Sequence, residues 1–303
     1  MTTEALLLAA PPITGIGHRI APVVAILALL VAVWYAAAVW LNTPQVVDRF
    51  ESDGKSWNAR QLIEASWSME RPVLPAPHQI ARNFFETVFE TPVDNKRSLV
   101  YHAGVTVSAT LLGFVFGTVL GVLLAVGIVH SPVLDRSLLP WIIASQTVPI
   151  LAIAPMVVVV LGSLGFVGLF PKAVISMYLC FFPVTIGMVK GLRSPDPLQL
   201  DLMRSYSASR AQVLHKLRWP AATDFLFASL KVAIATSLVG AIVGELPTGA
   251  QAGLGARLLS GSYYGQTIQI WSALIMASIV GVVLVALVGV AERLVARHMG
   301  RSA

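Results

Sequence analysis

A patterned cluster of charged side chains stands out from otherwise apolar sequence between Lys190 and Pro220. Six basic residues (Lys190, Arg193, Arg204, Arg210, Lys216, Arg218) stand there against two acids, Asp196 and Asp201. Leu198, Leu200, Leu202 and Met203 precede Tyr206, and Ala211, Val213, Leu214 and Leu217 follow it. This spacing predicts two short amphipathic helices broken at Ser207-Ala208-Ser209, with Ser209 capping the second. Pro195 and Pro197 mark the beginning, and Pro220 suits the start of the next helix. A helical pair with an apolar face and a charged rim does the chemistry of association, fitting a groove on another protein. A solvated connector is the alternative reading.

Covalent chemistry has no comparable support. The chain lacks a G-x-x-x-x-G-K-[ST] phosphate loop and a His-Glu-x-x-His zinc motif. Its six histidines (His18, His78, His102, His130, His215, His298) are scattered in loops and at the ends of apolar runs, where interfacial or solvated side chains are expected, so no metal site is assigned. The single Cys180 lies in an apolar run and excludes a disulfide framework.

The elements that position these residues are set by an apolar composition. The chain is 56% hydrophobic and 12% charged, with a mean hydropathy of +0.77. Soluble domains carry roughly 25% charged residues, so a typical soluble enzyme, a disordered chain and a nucleic-acid-binding module are all excluded. Charge is missing from Ile20 to Val47, Ser98 to Leu134, Ser137 to Pro171, Ala173 to Val189 and Leu258 to Ala291. Crossing a bilayer takes about 20 apolar residues. With Phe225 to Gly244, interrupted only by Lys231, these gaps predict six spans at 20–42, 101–129, 137–162, 168–190, 224–244 and 267–291. The first is too long for a signal peptide and is expected to be a retained anchor.

The basic loop after 190 and the tail bearing Arg293, Arg297 and Arg301 belong in the cytoplasm by the positive-inside rule, with both termini. Asp48 to Arg97, with seven basic and eight acidic residues, falls outside. The organisation expected is a cytoplasmic segment 1–19, a first helix 20–42, an external segment 43–98, a core domain 99–295 containing the loop 191–221, and a cytoplasmic tail 296–303. Within the external segment, Ile80, Phe84, Phe85, Val88 and Phe89 recur at helical spacing after Pro72, Pro75 and Pro77, predicting an amphipathic helix.

Polar residues within spans usually face the bundle interior. Ser145, Gln146, Thr147, Thr236 and Ser237 are therefore candidates for lining a path, although each can equally be satisfied by its own helix or a neighbour. Glu245 ends the fifth span and is followed by Pro247, Gly249, Gly253, Gly255 and Gly261, a composition suited to a gate loop or a plain external loop. Gly113, Gly117 and Gly121 form a doubled G-x-x-x-G ridge, which fits a dimer interface or packing inside one subunit.

Asp201-Leu202-Met203, three residues, Ser207, nine residues, Leu217, one residue, Trp219-Pro220 resembles the EAA motif of permease subunits of bacterial ATP-binding cassette importers. The segment DLMRSYSASRAQVLHKLRWPAA is similar to the nitrate, sulfonate and taurine branch, as are RPVLPAPHQI, Gln146-Thr147-Val148-Pro149 with Ala154-Pro155, and Glu245 with Ala252-Gly253-Leu254-Gly255. The likeness covers roughly residues 70–295. Two positions depart from it: Ser207 replaces the family glycine and Trp219 the family leucine. A serine hydroxyl can close a turn, so the helix-turn-helix is expected to persist.

The resemblance implies an all-α integral membrane protein, a six-helix type I importer domain with cytoplasmic coupling helices, in the bacterial inner membrane. It implies a second permease copy in a homodimer, two ATPase subunits that bind ATP and magnesium, and a substrate-binding protein. No cofactor is expected in this chain and no covalent catalysis. Asp201, Arg204, Ser207, Arg210, Leu217 and Pro220 are the expected coupling residues, and the solute is expected to be small and anionic or heterocyclic. An ion-coupled secondary transporter, the competing class, would place ionisable residues within spans and carry an inverted repeat. Only Lys172 and Lys231 approach the membrane interior, and no repeat is seen.

Overall fold

The computed structural model describes residues 16–247 and 250–299. Residues 1–15 of the N-terminal segment, Gly249, and residues 300–303 of the tail, including Arg301, lie outside them. Among the described residues every regular element is helical: α1 (Ile16–Ser52), α2 (Ala59–Ser68), α3 (Pro77–Phe85), α4 (Leu99–His130), α5 (Pro132–Ser145), α6 (Ile150–Ser163), α7 (Leu169–Leu192), α8 (Pro197–Ser205), α9 (Arg210–Val213), α10 (Trp219–Gly244), α11 (Leu254–Tyr263) and α12 (Thr267–His298). Five helices are long and apolar enough to cross a bilayer, and α5 with α6 makes a sixth unit bent by 100°.

The segment expected as a span over 137–162 is therefore a bent pair of helices rather than one straight helix. Pro149 lacks an N–H and disfavours helical backbone at Val148, so the chain turns at 146–149. Tight turn bonds close α5, from Gln146 N–H to Ile143 O at 3.2 Å and from Thr147 N–H to Ala144 O at 3.0 Å. Pro149 then caps α6.

The chain divides into two compact units, through Asn83 and from Phe84 onward. In the first, α1 continues past the expected limit at residue 42 to Ser52, and the proline-rich strap that follows α2 is tied to it. Buried Asn42 satisfies its whole amide: Nδ2 donates to Ser66 O (3.2 Å) and Leu74 O (2.9 Å), while Oδ1 accepts from Val73 N–H (2.8 Å) and Leu74 N–H (3.2 Å). Trp34 Nε1 donates to Pro75 O (3.1 Å).

In the second unit α7 is the central post. Gly113, Gly117 and Gly121 of α4 lie on it; an added Cβ would stand 2.2 Å from Ser176 Cβ, 2.8 Å from Cys180 Cβ and 2.8 Å from Val184 Cβ. Of the two readings of the ridge, packing within one chain is the one found. On α7's other flank, Gly187 and Gly191 meet Ser229 and Ala222 of α10, and Gly240 of α10 meets Ser176. Small residues let these backbones close in without a hydrophobic drive from lipid. Ile128, Val184, Met188, Leu192 and Ala222 form the apolar core beside the seams. At the amphipathic stretch after α3, Phe84 and Val88 pack with Leu99, Leu254 and Ala273. Phe85 and Phe89 stay exposed.

Candidate functional site

The helix pair read from sequence is present and its ends are closed locally. Asp196 caps α8 by accepting from Leu198 N–H at 2.7 Å. Ser209 caps α9 in a reciprocal box: its hydroxyl accepts from Gln212 N–H, and its own N–H donates to Gln212 Oε1 at 2.8 Å. Between them Ser207 takes the left-handed φ of +52°. Ser207 N–H donates to Arg204 O (2.8 Å) and Ala208 N–H to Met203 O (3.0 Å), the paired bonds of a Schellman end. The turn is thus closed by backbone bonds with serine in glycine's conformation, rather than by the hydroxyl. A non-glycine residue there costs about 1 kcal/mol. Ser207→Gly is expected to raise stability by about that amount, read as a higher unfolding midpoint, while Ser207→Val lowers it.

The second helix is not separate from the next span. Residues Arg210 to Gly244 run as one 35-residue helix. The ring of Pro220 would collide with the carbonyl of Lys216, and a π turn at Leu214–Arg218 absorbs it, with Trp219 N–H bonded back to Leu214 O. Arg218 Nη1 donates to Leu192 O at the end of α7 (2.7 Å), and Arg193 pairs with Asp135 of α5 at 2.9 Å. The loop is therefore fastened to α5, α7 and α10.

Asp201, Arg204, Ser207 and Arg210 are exposed, whereas Leu217 and Pro220 are half-buried in the base. Asp201 and Arg204 pair with each other at 2.8 Å. The apolar face expected on α8 is an exposed stripe: Leu198, Leu202 and Tyr206, four residues apart, are 78%, 57% and 77% exposed.

At the opposite end of α7 and α10 lies a buried polar cluster. Glu245 is 0% exposed and Lys172 is buried. The Glu245 carboxylate accepts from Thr106 Oγ1 (3.0 Å) and from Gly255 N–H (2.9 Å), with Lys172 Nζ at 3.5 Å. Lys172 Nζ donates to Ala252 O at 2.9 Å. Leu254 N–H donates to Thr106 Oγ1 (2.9 Å), and Gly253 N–H donates to His102 Nδ1 (3.0 Å). His102 Nε2 therefore carries the proton and donates to Lys96 O at 2.9 Å. Three backbone donors at the start of α11 are thus captured by three side chains, from α4 and the end of α10. The fit leaves no room for a Cβ at Gly253, which has φ of +126° and would place it 2.1 Å from Glu245 Cδ. Behind this cluster, burial pushes the Arg257 guanidinium down from its ordinary range, and Arg97 adds to the shift.

This geometry bears on the path candidates. Glu245 is engaged in a clamp rather than open to a path. Ser237 is buried and donates to Thr110 O (2.8 Å), and Thr236 donates to Ala233 O (3.0 Å). Ser145 and Thr147 donate to Ile142 O and Ala144 O of their own turn, at 2.7 and 2.8 Å. Gln146 sits exposed at the bend. His102, expected to be interfacial or solvated, is buried and doubly bonded. Sequence reasoning misses Lys172 and Thr106 as members of this cluster. The available signal was a lysine and a glutamate closing the same ends of two apolar runs, an arrangement that invites pairing.

Residues 117–301 match the family of binding-protein-dependent transport system inner membrane components. The chain belongs to that family: it is a multi-span membrane permease subunit of an ATP-binding cassette transport system, and not an enzyme. Among curated relatives, the formylaminopyrimidine transport permease protein ThiX of Halalkalibacterium halodurans is 30% identical over 184 residues, covering 60% of this chain and 68% of its own. The riboflavin transport system permease protein RibX of Chloroflexus aurantiacus is 29% identical over 225 residues (74% and 80%). The putative aliphatic sulfonates transport permease protein SsuC of Bacillus subtilis is 24% identical over 221 residues (73% and 76%).

Proposed function

We propose that this chain forms the translocation path of an importer for a small anionic or heterocyclic solute and takes its drive from a separate cytoplasmic ATPase that docks on α8 and α9. The carrying observation is the exposed Leu198–Leu202–Tyr206 stripe on a loop fastened to α7 and continuous with α10. Closure of an ATPase around such a loop moves the bundle ends with it, because the seams between α4, α7 and α10 admit little slip. Asp201, Arg204, Ser207 and Arg210 form the rim, and Leu217 and Pro220 the base. Two copies, two ATPases holding ATP and magnesium, and a binding protein delivering cargo complete the assembly in the inner membrane. Both termini face the cytoplasm. The relatives named above, with pyrimidine, flavin and sulfonate cargo in their names, support the solute class.

Proteoliposomes containing the chain, its ATPase and its binding protein are expected to accumulate cargo only with ATP, and a cysteine at Gln212 to react only from the ATPase side. Uphill uptake by the chain alone on an ion gradient, or labelling of that cysteine from the other face, would overturn the proposal.

A further inference from the structure

A cavity of about 680 Å³ opens beside the Glu245 clamp, at the end of the bundle remote from α8. Its size is within the range of small-molecule sites, roughly 300–1,000 Å³. Val105, Val158, Phe166, Leu169 and Pro171 supply apolar wall, and Ser108 and Gln251 add polar groups. Lys172 is the one charged residue among the described lining.

We infer that this cavity is a binding site for a small uncharged ring bearing a carbonyl oxygen, received by the Lys172 ammonium; this rests on the permease reading and names the ligand class of its outer mouth. An ammonium has three donors. Lys172 commits one to Ala252 O and faces Glu245 at 3.5 Å, which leaves donor capacity but little net charge. An anion entering would give up its hydration against apolar walls, and it would meet a cation already paired with a carboxylate. A carbonyl oxygen accepts the remaining N–H without bringing a charge to be stripped of water. The flat face of a ring covers the valine, leucine and phenylalanine walls. The site is also built before any ligand arrives. Ala252 is held by Lys172, and Gly253, Leu254 and Gly255 after it are held by His102, Thr106 and Glu245, so this part of the rim does not have to be ordered on binding.

Benzamide and benzoate, alike in shape and different in charge, separate the alternatives. Titrated by ligand-observed NMR into the permease–ATPase complex in nanodiscs without ATP, benzamide is expected to bind, and benzoate at least about tenfold more weakly. Lys172→Met should weaken benzamide by a similar factor. Because that variant leaves Glu245 unpaired, Ser108→Phe, an exposed position on the cavity lining, serves as the second: it should block benzamide with the clamp intact. Benzoate binding as tightly as benzamide, no binding of either probe, or full benzamide binding to Ser108→Phe would overturn the inference. The readout needs no nucleotide, so it fails or succeeds separately from ATP-driven uptake.

Discussion

Replacing Leu198 and Leu202 together with aspartate is expected to abolish co-purification of the ATPase and ATP-dependent uptake while the membrane bundle stays folded. Both side chains are exposed in the chain, so their loss costs the isolated fold little. In a groove, each leucine would contribute about 1.5–3 kcal/mol by leaving water. Losing both, and forcing two carboxylates into an apolar contact, lowers affinity by at least about a thousandfold. Exchanging Asp201 and Arg204 should do much less. Those two residues pair with each other on the surface of α8, and the exchange preserves their pair. Exposed pairs contribute about 0–1 kcal/mol. Size-exclusion and thermal profiles matching wild type, with the ATPase absent from the Leu198→Asp/Leu202→Asp preparation, are the expected result. If that preparation retains its ATPase, α8 is not the docking helix.

The two ends of the bundle differ in how far the sequence discloses them. The α8–α9 region is legible because its determinants are local. Asp196, Ser209 and Gln212 act within three residues of themselves, and the amphipathic spacing is complete inside one turn or two. What escaped there also has a local cause: Pro220 reads as a helix start, and only the π turn before it shows that the helix is continuous. The bend at 146–149 sits in a run with no charge, so hydropathy gives one span where proline geometry gives two helices.

The opposite end is built from distant pieces. Thr106 and Glu245 are 139 residues apart, and Lys172 and Ala252 are 80 apart. No periodicity links them. A carboxylate closing an apolar run reads as a path or gate residue, because ionisable groups in membranes are so often functional. The structure supplies a different reason for it, since the backbone donors at the start of α11 are buried and must find acceptors. The glycine ridge is an intermediate case. Its spacing declares a close helix contact, but not with which helix. The clashes of an added Cβ with Ser176, Cys180 and Val184 identify α7 of the same chain.

The clamp yields the second large effect. Glu245→Leu removes the acceptor of Gly255 N–H and leaves the buried Lys172 ammonium with Ala252 O alone. Removing one member of a buried pair costs about 3–5 kcal/mol, a large share of the roughly 5–15 kcal/mol that holds a typical fold. The variant should lose most of its folded yield, or unfold well below wild type in a detergent thermal scan. Lys172→Met alone should also destabilise, by stranding the carboxylate, but less, because Thr106 and Gly255 still donate to it. Combining the two removes both charges. The double variant should therefore be more stable than Glu245→Leu alone, with the unsatisfied Gly255 N–H accounting for a residual loss of about 1–3 kcal/mol. Glu245→Gln keeps an acceptor for Gly255 and should fall between wild type and Glu245→Leu. Simple additivity of the two single changes would mean that Lys172 and Glu245 do not stabilise one another. A Glu245→Leu protein as stable as wild type would mean that α11 is held by something other than this carboxylate.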